Sequence, residues 1–291
     1  MSAFDPELAQ RLSVFPIAAR SPMLGSVSGR HQSPHRGSSV EFAEYRRYQP
    51  GDDPRRLDWR AFGRSDRFYV KEFEADTNLR LVLVLDCSGS MGFGDKFQRA
   101  QTMASLLAYL AVEQGDAARL VGAGDHCSDP IPPRRNAAQV SVLLEAIESM
   151  VPSGKTRLVE TLHEIAETIR QRALVVILSD LFFETEELRS ALDHLRFRNH
   201  DTVAFHLIDR EEIAPQWHRR IRIEDMEGGE SMLIEPDEIV EAYESEVNAF
   251  MDATAETMRQ TATDYHIGMS DRSLEEILGT FLSQRAAGAS R

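Results

Sequence analysis

Two cysteines in 291 residues, Cys87 and Cys127, leave no basis for a disulfide framework. They read as small core thiols in a reducing compartment. No apolar run nears the ~20 residues that a bilayer-spanning helix needs. The opening MSAFDPELAQRL carries Asp5 and Glu7 where a signal peptide has its apolar core. The chain is therefore expected to be cytoplasmic, with no membrane span. A basic excess is missing too: the net charge is −14 and the pI about 5.1. That balance argues against a general nucleic-acid binder. Two enzymatic signatures are also absent. Neither Ser88 nor Ser90 has glycine two residues away on both sides, as a nucleophile elbow requires. SGKT at Ser153 to Thr156 resembles only the tail of a phosphate-binding loop, and it follows Val151-Pro152 rather than a strand.

What is present is an apolar content of 42%, enough for a large core. Charge is uneven. Residues 30–71 hold ten Lys or Arg against six Asp or Glu, and residues 211–260 hold four Arg against fourteen acids. Such asymmetry suggests faces with different partners, or faces that attract each other. Residues 25–39, rich in Gly, Ser and His, read as a loop.

From Leu79 onward, strands alternate with helices. LRLVLVLD and ALVVILSD are continuous apolar runs ending in acid, the pattern of strands buried on both faces. Between and after them, helical spacing recurs. Phe97, Ala100, Met103, Ala104, Leu107, Leu110 and Ala111 form one stripe. Ile239, Val240, Tyr243, Val247, Phe250, Met251 and Met258 form another. AARLVGAG, DTVAFHLID and DYHIGMS read as further strands. SDPIPPRR reads as an edge strand, since its prolines cannot donate to a central ladder. TEELRSALDHLRFRN reads as a helix with Thr185 at its N-cap. The alternation predicts an α/β fold: a doubly wound, mostly parallel, Rossmann-like sheet flanked by helices. Ligand sites in such sheets lie beyond the C-terminal strand ends, near a topological switch point. Asp86 and Asp180 both end apolar strands and should face one crevice.

At Asp86 the chain places Asp86, Ser88 and Ser90 on alternate residues of a loop leaving a strand. Three oxygens can then face one point, which suits a hard divalent cation such as Mg2+. An ion neutralised by few carboxylates stays electrophilic and seeks an anionic ligand from outside. Thr156 opens a helix after a Gly-containing turn, and Asp180 ends the next apolar strand. Turn formation or helix capping would explain any of these residues singly. In this order, the set resembles the metal-ion-dependent adhesion site of von Willebrand factor A domains. The resemblance implies that Ser88, Ser90 and Thr156 ligate Mg2+ (or Mn2+ or Ca2+) directly, with Asp86 and Asp180 acting at least partly through water.

Upstream, Val40, Phe42, Tyr45 and Tyr48 suggest extended structure, Pro50 to Asp53 a turn, and Phe68 to Val70 another strand. Interleaved aromatics and arginines would suit RNA. The neighbouring Asp52, Asp53 and Asp58 favour instead a small β element whose arginines are paired. The segment E-F-x-x-Y-R-x-Y-x-P-G-D-D-x-R-x-L-D-W-R at Glu41 to Arg60, directly upstream of the Asp86 motif, resembles a bacterial family with a von Willebrand factor A core. That family is catalogued as domain of unknown function number fifty-eight. The resemblance implies a non-enzymatic adaptor or co-chaperone that works with a MoxR-type AAA+ ATPase on a client complex. Arg157 departs from the family pattern, where an acid often follows the threonine, and would place a guanidinium near the metal.

These readings divide the chain into residues 1–78, carrying the small β element and the family segment, and residues 79–291, the A-like domain with an acidic helical insertion at about 211–262. A Mg2+-dependent hydrolase and an RNA-binding module using the basic N-terminal face are the alternatives. No nucleic-acid partner is expected on the favoured reading.

Overall fold

The computed structural model describes residues 4–19, 41–47, 69–74, 79–125, 127, 129–134, 136–215, 221–224, 231–234 and 236–289. The chain divides into two compact units: Met1–Arg20 with Leu79–Arg291, and Ser21–Asn78. In the smaller unit, β1 (Glu41–Arg47) and β2 (Tyr69–Glu74) pair antiparallel, with a register irregularity between Phe42 and Glu44. The turn expected at Pro50 to Asp53, and Asp58, lie outside the described residues.

The larger unit is built on β3 (Arg80–Asp86), β4 (Ala117–Ala123), β5 (Ile131–Arg134), β6 (Leu174–Ser179), β7 (Asp201–Ile208) and β10 (Asp264–Met269). Their spatial order is β10-β7-β6-β3-β4-β5, and only the β4–β5 pairing is antiparallel. Counted within this sheet alone, the order is 3-2-1-4-5-6 from the proline-bearing edge, the doubly wound arrangement. The Pro132-Pro133 pair confines β5 to that edge, as its missing donors require. The fold is the α/β, von Willebrand factor A-like architecture expected from the sequence.

Every residue of β3 after Arg80 is buried, and so is every residue of β6 and β7. Helices cover both faces: α2 (Lys96–Glu113), α3 (Ala138–Ser149), α4 (Leu158–Thr168) and α5 (Thr185–Phe197), followed by the single-turn α6 (Arg210–Ile213), α7 (Pro236–Gln260) and α8 (Leu274–Ala289). All seven apolar positions proposed for α2 are buried. Val82, Val84, Leu162, Ile165, Ile177, Leu188 and Leu192 belong to one continuous core between the sheet, α4 and α5.

Four features differ from the sequence expectations. Pro6–Leu12 forms a helix, α1, capped by Asp5, whose Oδ1 accepts from the amides of Glu7 and Leu8. Its buried Leu8 and Leu12 belong to the sheet unit, so the first twenty residues group with 79–291 rather than with the β element. The acidic stretch at 211–262 contains α7, part of the crossover that a parallel β7–β10 pair requires. It also contains a short hairpin, β8 (Ile221–Glu224) with β9 (Ser231–Ile234). Along α7 the apolar stripe is only half-buried except at Met258. Finally, the N-cap of α5 is Glu184, with Thr185 its first helical residue.

Candidate metal centre

β3 and β6 are adjacent parallel strands whose following connections leave in opposite directions along the sheet. The crevice beyond their C-terminal ends is the topological switch point. Asp86 ends β3 and is fully buried. The next residue, Cys87, donates its amide to the Ala123 carbonyl of β4 at 3.0 Å, which extends the ladder one step. The chain then turns. The Ser88 amide donates to Asp86 Oδ1 at 3.0 Å, and a 3-10 turn, Gly89–Gly92, follows. Ser88 Oγ and Ser90 Oγ stand 3.0 Å apart.

The second loop is stapled to the first by two backbone bonds. Ser153 N donates to Cys87 O at 2.8 Å, and Gly89 N donates to Gly154 O at 2.9 Å. Gly154 takes φ of +70°, a conformation that favours glycine. This close approach delivers Thr156, whose Oγ1 donates to Asp86 Oδ1 at 3.3 Å and accepts from Leu158 N at 3.3 Å. The threonine therefore both serves the first turn of α4 and touches the site. From β6, Ser179 Oγ donates to Asp86 Oδ2 at 2.6 Å and accepts from Leu181 N at 2.9 Å.

Asp180 follows Ser179 at the same sheet edge and is not a helix cap. Its Oδ2 accepts from Lys96 Nζ at 2.9 Å, and Lys96 also donates to Glu212 Oε1 at 2.6 Å. The Lys96 side chain is only 2% exposed. Glu212 is fixed in turn by a capping box with Asp209, whose amide donates to Glu212 Oε2 at 2.8 Å. Gly94 makes room here: with φ of +59°, any Cβ on it would stand 2.5 Å from Asp209 Oδ2.

The five residues singled out from the sequence thus converge at one sheet edge. Asp86 is the hub for Ser88, Thr156 and Ser179, Ser90 meets Ser88, and the charge of Asp180 reaches Asp86. Ser179, Lys96 and Glu212 were not anticipated. Ser179 was readable as a hydroxyl closing an otherwise apolar strand. Lys96 carried a weaker sign, being a cation in a helical first turn, where the dipole favours acids. Glu212 has no sequence signal beyond its capping box. Arg157, expected near the metal, is exposed, and its guanidinium lies 4.0 Å from Glu164 on α4.

Burial, and then the charge of Asp180, push the Asp86 carboxyl up to about 6, against the pull of the Ser179 and Ser88 hydrogen bonds. Burial alone would depress Lys96, but the charges of Asp180 and Glu212 outweigh it and raise the ammonium. Burial raises Glu212 even beside Lys96. His206 on β7 is 1% exposed, and burial pushes it down to about 4, while its Nδ1 pairs with Tyr265 Oη at 2.6 Å.

The donor set suits a small hard cation. It offers three hydroxyls beside a carboxylate, and a second carboxylate, Asp180, close enough for its charge to disfavour ionisation of Asp86. A bound cation would relieve that repulsion.

Buried histidines tie the stability of the fold to pH. At the far end of the sheet, His200 accepts from Ala173 N through Nδ1 at 3.2 Å, and burial pushes it down to about 4. Like His206, it cannot take up the proton that an unfolded imidazole binds near pH 6.5. Stability from this pair is complete above about 6.5 and falls as pH drops toward 4. Asp86 acts oppositely, because its raised carboxyl favours the folded state as pH falls through about 6. Glu212, raised by burial as well, acts with Asp86, so two imidazoles face two carboxyls, and the imidazole share is read by difference. His200→Asn should lose less stability than the wild type between pH 6.5 and 4, which shows as a different slope of melting temperature against pH. A slope unchanged in the variant would remove His200 as its source.

The sheet order and the loops that meet at its switch point define the class: a doubly wound α/β domain of von Willebrand factor A-like fold. Residues 44–251 match the family model described as protein of unknown function DUF58, and the chain belongs to that family. It is 27% identical over 232 residues to an uncharacterised protein of Mycobacterium tuberculosis, covering 77% of this chain and 73% of that one. It is 31% identical over 126 residues to the uncharacterised Bacillus subtilis protein YeaD, covering 40% of this chain and 30% of the relative. Among solved structures it is similar to the conserved hypothetical protein BatB of Bacteroides thetaiotaomicron, at 14% identity and a TM-score of 0.47, covering 74% of this chain and all of that one. It is also similar to the VWA domain of SpRpn10, at 13% identity and a TM-score of 0.39, covering 70% of this chain and 94% of that domain.

Proposed function

We propose that this protein is a divalent-cation-dependent protein-interaction module. Ser88, Ser90 and Thr156 would hold Mg2+ (Mn2+ or Ca2+ in its place), with Asp86 and Asp180 acting at least partly through water. A carboxylate from a partner would complete the shell. The observation that carries this reading is the charge of the site. Three neutral hydroxyls gather at Asp86, and the second carboxylate, Asp180, is already countered by Lys96. An ion placed there stays short of negative charge, which favours an acidic ligand from outside.

Apolar side chains on the loops around the site suit a protein partner. Phe93 is 37% exposed, Val151 70% and Phe182 75%. The family resemblance suggests a MoxR-type AAA+ ATPase as that partner, acting on a client complex. A hydrolase reading gains nothing from His206, which is buried and bonded to Tyr265. No helix among the described residues is long and apolar enough to cross a membrane.

Ligand binding to the folded state alone stabilises it by mass action. The wild type should therefore melt higher in millimolar Mn2+ or Mg2+ than in EDTA. Asp86→Asn combined with Ser88→Ala should erase the difference. A wild type indifferent to both ions would sink the metal reading. Affinity purification in Mg2+ should then recover an AAA+ ATPase with the wild type and not with the double variant.

A further inference from the structure

The chain's two cysteines meet beside the candidate metal loop. Cys87 lies between Asp86 and Ser88, and Cys127 lies just past the end of β4. Their side chains pack against the same stretch of bare backbone, Gly122 to Gly124. Bare backbone makes this possible. A Cβ on Gly122 would stand 2.6 Å from Cys127 Sγ. A Cβ on Gly124 would stand 3.1 Å from Cys87 Cβ and 3.4 Å from Cys127 Sγ. The end of β4 is thus without side chains where the two cysteines approach each other. Exposure differs between them. Cys87 is 2% exposed, whereas Cys127 is half-buried.

We propose that Cys87 and Cys127 form a peroxide-responsive dithiol that closes into an intrachain disulfide and switches off the metal loop. Hydrogen peroxide would attack at the more accessible Cys127. The Cys127 thiol gives up its proton, its sulfur takes one peroxide oxygen, the O–O bond breaks, and that proton joins the departing hydroxide, so that Cys127 sulfenic acid and one water result. Cys87 sulfur then displaces hydroxide from that sulfenic acid, which leaves as a second water once the thiol proton is transferred. Two thiols lose two electrons in all, and one peroxide gains them. A thiol reductant reverses the step by exchange.

Closure draws the sulfurs together to a bond of about 2.05 Å with a fixed dihedral. Cys87 cannot follow freely. Its amide is bound to Ala123 O at 3.0 Å, its carbonyl receives Ser153 N at 2.8 Å, and its Sγ lies 3.5 Å from Leu85 O. The pull therefore acts on the residue joining Asp86 to Ser88 and on the staple that delivers Thr156. This consequence rests on the metal reading above, but formation of the disulfide does not.

The test uses the full chain, reduced and desalted, with and without hydrogen peroxide. Peptide mapping should find a single cross-link between Cys87 and Cys127, removed by dithiothreitol and absent from Cys127→Ser. The Mn2+-dependent melting shift of the reduced protein should disappear on oxidation and return on reduction. In Cys127→Ser it should survive peroxide. Absence of the cross-link in the wild type overturns the proposal, and so does a cross-linked protein that keeps its full Mn2+ shift. A reduced wild type with no shift refutes the metal reading, and with it the switch, while the peptide map still decides whether the two thiols pair.

Discussion

Lys96→Met should destabilise the protein by about 3–5 kcal/mol in EDTA, and by clearly less in millimolar Mg2+. Methionine keeps most of the stem volume of lysine, so little of the loss would come from a cavity. What it removes is a buried ammonium between Asp180 at 2.9 Å and Glu212 at 2.6 Å. Asp180 and Glu212, with side chains 10% and 28% exposed, would be left facing each other without a counter-charge. Removing one partner of a buried ion pair costs far more than the pair itself contributes, because the survivor remains desolvated. A divalent cation beside Asp86 would supply positive charge to Asp180 again. It would bind the variant more tightly than the wild type, since the built-in competitor has gone, and the mass-action gain grows as the dissociation constant falls. Glu212 has no such relief, so the rescue should be partial. Urea unfolding of both proteins, each with and without Mg2+, reads the four numbers. Equal destabilisation in the two buffers would mean that no cation is bound within reach of Asp180.

Much of this arrangement was legible beforehand for definite reasons. A parallel strand buried on both faces must be written as an unbroken apolar run, so LRLVLVLD and ALVVILSD announced themselves and their terminal acids. The long helices announced themselves by period. Once the topology places Asp86 and Asp180 at adjoining strand ends, Ser88, Ser90 and Thr156 follow from local spacing. Lys96 and Glu212 did not follow, because their partnership joins residues far apart in sequence. Each has an ordinary local explanation that hides it: Lys96 as a charge near a helix start, Glu212 as half of a capping box. The β8–β9 hairpin was overlooked although Gly228-Gly229 separates two short alternating runs, a hairpin signal masked by the surrounding acidity. Helix α1 was overlooked because seven residues carry too little periodicity, although Asp5-Pro6 is a helix-start pair.

Arg285→Ala should cost a similar amount, about 3–5 kcal/mol, but Mg2+ should not restore it. Arg285 is the counterpart of Lys96 at the other end of the sheet. From α8, its Nη1 reaches Asp201 Oδ2 at 2.6 Å and the Ala18 carbonyl at 3.3 Å. Its Nη2 reaches Asp264 Oδ2 at 2.5 Å. Asp201 opens β7 and Asp264 opens β10, so one guanidinium ties the last helix to the N-terminal ends of two parallel strands and to the segment after α1. The side chains of Arg285 and Asp201 are 3% and 4% exposed, so water cannot replace the lost donors. Arg285→Lys should recover only part of the loss, because a single ammonium cannot reproduce the planar fork that serves both carboxylates. The site beyond β3 and β6 lies at the opposite edge, with no partner in common. The variant should therefore keep the full Mn2+-dependent melting shift, displaced to lower temperature. Its effect should also add to that of Lys96→Met within about 0.5 kcal/mol. Loss of the metal response in Arg285→Ala, in protein that remains folded, would show that the two ends of the sheet are coupled, and the Mg2+ rescue of Lys96→Met could then no longer be assigned to local charge.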